Sequence, residues 1–84
     1  MTAYALHPQV GLRDEQFGAL AYHYGNRRLT FLNDARLVTV VRSAADYDDV
    51  DAALAEAGVD DARRGAYRVA LQRLAEAEVL VATG

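Results

Sequence analysis

The stretch FGALAYHYGNRRLTFL, residues 17–32, decides the reading of the fold. From Phe17 to Tyr24 the side chains alternate, with Leu20, Tyr22 and Tyr24 on one face and Ala19, Ala21 and His23 on the other. A period of two is the signature of a strand. Gly25-Asn26 suits a two-residue hairpin loop, where positive φ is needed. Such a loop pairs Tyr24 with Arg27, Tyr22 with Leu29 and Leu20 with Phe31, so turn and pattern agree on one register. The bulky pairs are expected to hold the ribbon onto helices. The smaller face, with His23 opposite Arg28, Ala21 opposite Thr30 and Ala19 opposite Leu32, is expected near solvent.

Upstream, the only proline, Pro8, favours an extended lead-in, and Val10 to Arg13 reads as a short first strand. Downstream the period changes. Asn33 or Asp34 caps a helix whose Leu37, Val40, Val41 and Ala44 fall at i, i+3, i+4 and i+7. A third strand is the rival, because LVTVV is β-branched, but cap and period together favour the helix. SAADYDD, residues 43–49, reads as a linker. A second helix follows from about Val50 to Ala57, with Asp48, Asp49 and Asp51 at its positive end and Gly58 placed to stop it. A third and longer helix runs from Asp60 or Asp61 to about Ala77, with Tyr67, Ala70, Leu71 and Leu74 as its core stripe. Gly65 weakens its first turn. Val79 to Val81 reads as a short last strand or as apolar packing beneath the helices. Strands followed by helices without alternation spell α+β, and three strands beside a three-helix cluster is the make-up of winged-helix domains.

At 84 residues the chain is expected to form a single domain, 1–84, with a thin core. Binding at an edge or in a shallow groove then costs less than housing an active-site cavity. There is no cysteine, which excludes disulfide scaffolds and fits a cytoplasmic location. The first residues lack the basic start and apolar run of a secretory signal, and no apolar run is long enough to span a membrane. The net charge of −3 argues against general nucleic-acid binding.

Nothing in the chain points to an enzyme, a metal site or a cofactor. Two histidines, His7 and His23, fall short of the three or four ligands zinc needs, and His23 reads as a surface residue. The acidic run Asp46 to Asp51 fails the calcium-loop pattern in both registers, because neither supplies its glycine and its final glutamate. The single serine, Ser43, has no nucleophile motif around it. Arg63, Arg64, Arg68 and Arg73 on the third helix, with Arg27 and Arg28 on a wing, make a winged-helix DNA binder the alternative reading. The acidic residues Asp60, Asp61, Glu76 and Glu78 beside them favour a solvated charged face instead. The segment Arg27 to Leu32 has no strand after it, so it is expected at a sheet edge. An edge is either protected or used, by a peptide that adds as a strand or by a second copy in a weak homodimer.

On these residues the chain resembles a known family. LHPQVGLRDEQFGALAYHYGNRRLTFL, residues 6–32, is similar to the N-terminal signature of the mycofactocin biosynthesis chaperones, a PqqD-like family of peptide-recognition proteins. AGVDDARRGAYRVALQRLAEAEVLV, residues 57–81, resembles their closing helix. The resemblance implies a RiPP recognition element: a winged helix-turn-helix with a three-stranded antiparallel sheet followed by three helices. It implies no catalysis and no cofactor of its own. The module would capture the leader of a ribosomally made precursor peptide and present it to a radical S-adenosylmethionine enzyme. It further implies that the leader adds to the third strand in a cleft closed by the third helix. On this sequence that site comprises Arg27, Arg28, Leu29, Thr30, Phe31 and Leu32, with Arg64, Tyr67, Arg68 and Leu71 from the helix.

Overall fold

The computed structural model describes residues 3–83. Its order is β1 (Tyr4–Leu6), β2 (Val10–Glu15), β3 (Gly18–His23), β4 (Leu29–Leu32), α1 (Ala35–Ser43), a 3₁₀ turn (Ala44–Asp46), α2 (Val50–Glu56), α3 (Asp61–Glu76) and β5 (Leu80–Ala82). The fold is α+β, with a three-stranded antiparallel sheet in the order β2-β3-β4 and three helices after it. Strands β1 and β5 form a separate antiparallel ribbon that ties the two ends of the described chain together, Tyr4 opposite Ala82 and Leu6 opposite Leu80. Strand β1 has no counterpart in the reading of the sequence, and β2 runs two residues beyond Arg13.

The hairpin register is the expected one, with Tyr22 opposite Leu29 and Leu20 opposite Phe31. The loop is longer than the Gly-Asn pair. His23 N–H donates to Arg28 O (3.0 Å) and Arg27 N–H donates back to His23 O (2.7 Å), so Tyr24 to Arg27 form a four-residue loop. The left-handed residue is Arg27, at φ 63°, rather than Gly25 or Asn26.

The two faces are the reverse of expectation. Ala19, Ala21, His23 and Leu32 are buried, whereas Leu29 and Phe31 are exposed and Leu20 and Tyr22 only half-buried. Helix α1 packs against β3 and β4 on the small face, where alanine lets backbone and helix approach closely. Burial of His23, 5% exposed, corrects its reading as a surface residue.

The helices begin and end as their caps dictate. Asp34, Asp49 and Asp60 accept N–H groups from the first turns of α1, α2 and α3 respectively. Gly58, at φ 82°, lets the chain leave α2. One core cluster joins these parts, with Leu32, Val40, Val41, Leu54, Val59, Leu71, Val79 and Leu80 as its largest fully buried side chains.

Two glycines on this frame behave oppositely. Gly18 sits at φ 146°, and a Cβ there would collide with the carbonyl oxygen of Leu32. Gly65 is helical with open space beside it. Urea denaturation of Gly18→Ala is expected to show a loss of about 2–3 kcal/mol. Gly65→Ala is expected to gain about 0.5–1 kcal/mol from helix propensity.

Candidate functional site

Among the described residues the outer edge of β4 carries no neighbouring strand. Along an antiparallel ladder, residues alternate between bonding their partner strand and directing N–H and C=O away from it. Arg28 bonds toward β3 through its carbonyl. The alternation therefore gives Arg28, Thr30 and Leu32 to β3, and turns the N–H and C=O of Leu29 and Phe31 outward. These are four unpaired main-chain groups on one short edge.

The same two residues carry the most open large apolar side chains of the sheet, with Leu29 54% and Phe31 66% exposed. Phe17 stacks against Phe31 at 5.8 Å between ring centroids, and Tyr24 meets Tyr22 edge-on at 5.0 Å. The Tyr24 ring lies over Gly11, whose missing side chain makes room for it. A shallow groove of about 330 Å³ runs across this face between Leu12, Leu20, Tyr22, Tyr24 and Leu29.

Two stripes divide α3. Arg63, Ala66, Tyr67 and Ala70 lie at i, i+3, i+4 and i+7, on one side of the helix. Ala66, Tyr67 and Ala70 line a small cleft of about 130 Å³ with Asp34 and Leu37, at the start of α1 and two residues beyond β4. The Tyr67 hydroxyl donates to Asp34 Oδ2 at 2.7 Å and closes the floor of that cleft. Burial works to raise the Asp34 carboxyl, but it is outweighed. The Tyr67 hydroxyl, the N–H groups of Leu37 and Arg36 and the Arg36 guanidinium hold it below the ordinary carboxylate range. The same hydrogen bond, then burial and the Asp34 charge, push the Tyr67 phenol up, against smaller opposing effects of Arg36 and Arg63.

Arg64 and Arg68 belong to the other stripe. Arg64 donates from Nε to Val59 O and pairs with Asp61 at 2.9 Å, while Arg68 clasps Asp51 of α2 at 2.6 and 2.9 Å. Leu71 is wholly buried in the core. Of the four helix residues singled out by sequence, the structure brings Tyr67 to the cleft near β4 and turns both arginines toward the α2 side. Arg36 and Arg63 are instead the arginines whose charges act on Tyr67. Arg27 and Arg28 are exposed at the start of β4 and pair with no carboxylate among the described residues.

His23 holds the turn that delivers them. Its Nδ1 accepts the N–H groups of Gly25 and Asn26, both at 3.0 Å, which leaves the ring proton on Nε2. That atom faces Glu78 Oε2 at 4.0 Å, and Asn26 Nδ2 donates to the same oxygen at 3.0 Å. The hairpin tip is thereby tied to the end of α3. The position of His23 at the end of a strand, two residues before a Gly-Asn turn, was the available signal for this role. Among the described residues no three His, Asp or Glu side chains converge as metal ligands would, and no helix is long and apolar enough to cross a membrane.

Fold and site together define a small α+β protein that offers a sheet edge and open grooves. The chain belongs to the peptide chaperone MftB family, whose model matches residues 3–81. It is 49% identical over 76 residues to the peptide chaperone MftB of Mycobacterium tuberculosis, covering 90% of this chain and 70% of that protein. The corresponding protein of Mycobacterium ulcerans is 50% identical with the same coverage, and that of Mycolicibacterium smegmatis 46% identical over 79 residues, 94% and 78% covered. These relatives are named as peptide chaperones, which are not enzymes. No solved structure matches the chain.

The Asp34–Tyr67 bond has a pH signature. A carboxyl held low in the folded state lends stability above its unfolded value and loses it as pH falls through the folded one. The window lies below about pH 4, where unfolded aspartate titrates. Tyr67→Phe is expected to cost about 1 kcal/mol and to move the Asp34 titration, followed by carboxyl NMR, up toward the ordinary value. An unmoved titration would show that the hydroxyl does not hold the carboxylate.

Proposed function

We propose that this chain captures an extended peptide by strand addition to β4, as the binding module of mycofactocin biosynthesis. The captured segment is the leader of the ribosomally made precursor, and the chain presents it to a radical S-adenosylmethionine enzyme in the cytoplasm. In this reading the 84 residues are one RiPP recognition element of the PqqD-like, winged-helix kind. The observation that carries the proposal is the open β4 edge, with the main-chain groups of Leu29 and Phe31 turned outward.

Two edges of the sheet are available, and their chemistry separates them. The far half of β2 reads Arg13-Asp14-Glu15, with Arg13 paired to Glu15 and Asp14 to Arg42, and such charges guard an edge against pairing. Strand β4 reads Leu-Thr-Phe-Leu, without a charge. Its two arginines stand at the turn before it, where they would attract an acidic leader without blocking the edge. The cleft of Leu37, Ala66, Tyr67 and Ala70 begins where β4 ends and would receive side chains from the inner face of the added strand. Leu32 and Leu71, both in the core, would serve as its floor, and Arg64 and Arg68 would act from the α2 flank. Membership of a family of peptide chaperones supports the same reading.

The DNA-binding alternative needs a continuous basic face on α3. Arg64 and Arg68 are spent on Asp61 and Asp51, and the net charge is −3.

Proline at an edge strand is tolerated where its N–H faced solvent, so Phe31→Pro removes an outward donor while sparing the β3–β4 ladder. Calorimetric titration with the precursor leader is expected to show roughly tenfold or greater weakening for this variant. Thr30→Pro strikes the inward ladder and is expected to lower stability as well. Unchanged affinity in folded Phe31→Pro would refute strand addition.

A further inference from the structure

We propose that the outer face of the β2-β3-β4 sheet reads the sequence of the captured strand. It would select an extended peptide with bulky apolar side chains at two positions separated by one residue. The inference rests on strand addition at β4 and states which peptides that edge accepts.

The first ground is the gradient of exposure across the face. Leu20 and Tyr22, on the central strand, are half-buried because strands lie on both sides of them. Leu29 and Phe31, on β4, are more than half exposed because no described strand lies beyond them. Scattered exposed apolar residues are ordinary, but four of the six large exposed ones among the described residues, Phe17, Tyr24, Leu29 and Phe31, gather on one side of one sheet.

The second ground is geometric coincidence. The two residues that turn main-chain groups outward are the two that carry the open apolar side chains. A residue bonded opposite Leu29 or Phe31 on an added strand points to the same face, with its Cβ about 4.5–5.5 Å away. The sheet already places bulk opposite bulk twice, Tyr22 with Leu29 and Leu20 with Phe31. A fourth strand with apolar residues at the two matching positions continues both rows. A peptide with charges there would bury them against Phe31 and Leu29 without partners, a cost that sets specificity. The intervening peptide residue, opposite Thr30, points to the helix side and escapes this selection.

The third ground is size. Three short strands offer a face too small for a lasting sheet-on-sheet dimer, which needs on the order of 1,000 Å² or more in total. A strand on the edge covers the most exposed part without that requirement.

The test uses the double variant Leu29→Ser/Phe31→Ser, which keeps every main-chain N–H and touches no buried side chain. Its affinity for the synthetic mycofactocin precursor leader is expected to fall roughly fivefold or more. An alanine scan of the leader is expected to find two sensitive apolar positions two residues apart, which lose their effect against the double variant. Affinity within about twofold of the parent, with Phe31→Pro still defective, overturns the face reading and leaves strand addition standing. If Phe31→Pro also binds normally, both fall. If the double variant changes only the sedimentation of the free chain, the face belongs to a second copy and the proposal is overturned.

Discussion

Helix α1 lies close against strand β3 because the inward side chains there are small, with Leu32 of β4 packed beside them. Ala19 and Ala21 are fully buried there, and α1 contributes Val38, Val40 and Val41, all buried. Close packing tolerates little spare volume, so a ring on this side of β3 would push the helix off the sheet. Much follows from that approach. The strand has period two, so placing alanines inward forces Leu20, Tyr22, Leu29 and Phe31 outward as a set. Gly18 carries no side chain where β3 passes the Leu32 carbonyl. His23, the third inward residue, spends its ring on closing the turn.

The outward set gives the molecule its candidate site. A sheet that faced its bulk inward would present a polar surface with an ordinary protected edge. Here the edge strand is uncharged, its free main-chain groups and its apolar side chains fall on the same two residues, and a cleft from α1 and α3 opens at its end. The Asp34–Tyr67 bond ties α3 to the start of α1 beside that cleft, and Asp34 also caps α1. Membership of a peptide chaperone family and an open strand edge are thus two separate observations that support the proposal of a peptide as the occupant.

Much of this was legible in the residues. The register could be read even though the turn was not, because a Gly25–Asn26 loop and a Tyr24–Arg27 loop share one centre and leave every inner pair unchanged. Helix starts were legible because each has an aspartate to cap it. The buried face was not, since hydrophobicity ranks side chains by bulk while the distance to α1 decides what fits. Of the β1–β5 ribbon only the last strand was legible, as one of two readings of Val79 to Val81, and β1 was not: three residues are too few to alternate visibly, and its partner lies at the other end of the described chain. On α3, Arg63 and Arg64 are neighbours in sequence but 100° apart around the helix. Arg64 meets Asp61 three residues back on the same helix, but only the tertiary packing shows that Arg68 turns to Asp51 of α2 while Tyr67 turns to Asp34.

The central claim is that a peptide strand pairs with the outward main-chain groups of β4. Amide hydrogen exchange followed residue by residue, with and without the precursor leader, tests it most directly. The account expects new protection at Leu29 and Phe31 alone along β4, with Thr30 and Leu32 already slow in the free chain. Protection unchanged at Leu29 and Phe31 under saturating peptide would contradict it.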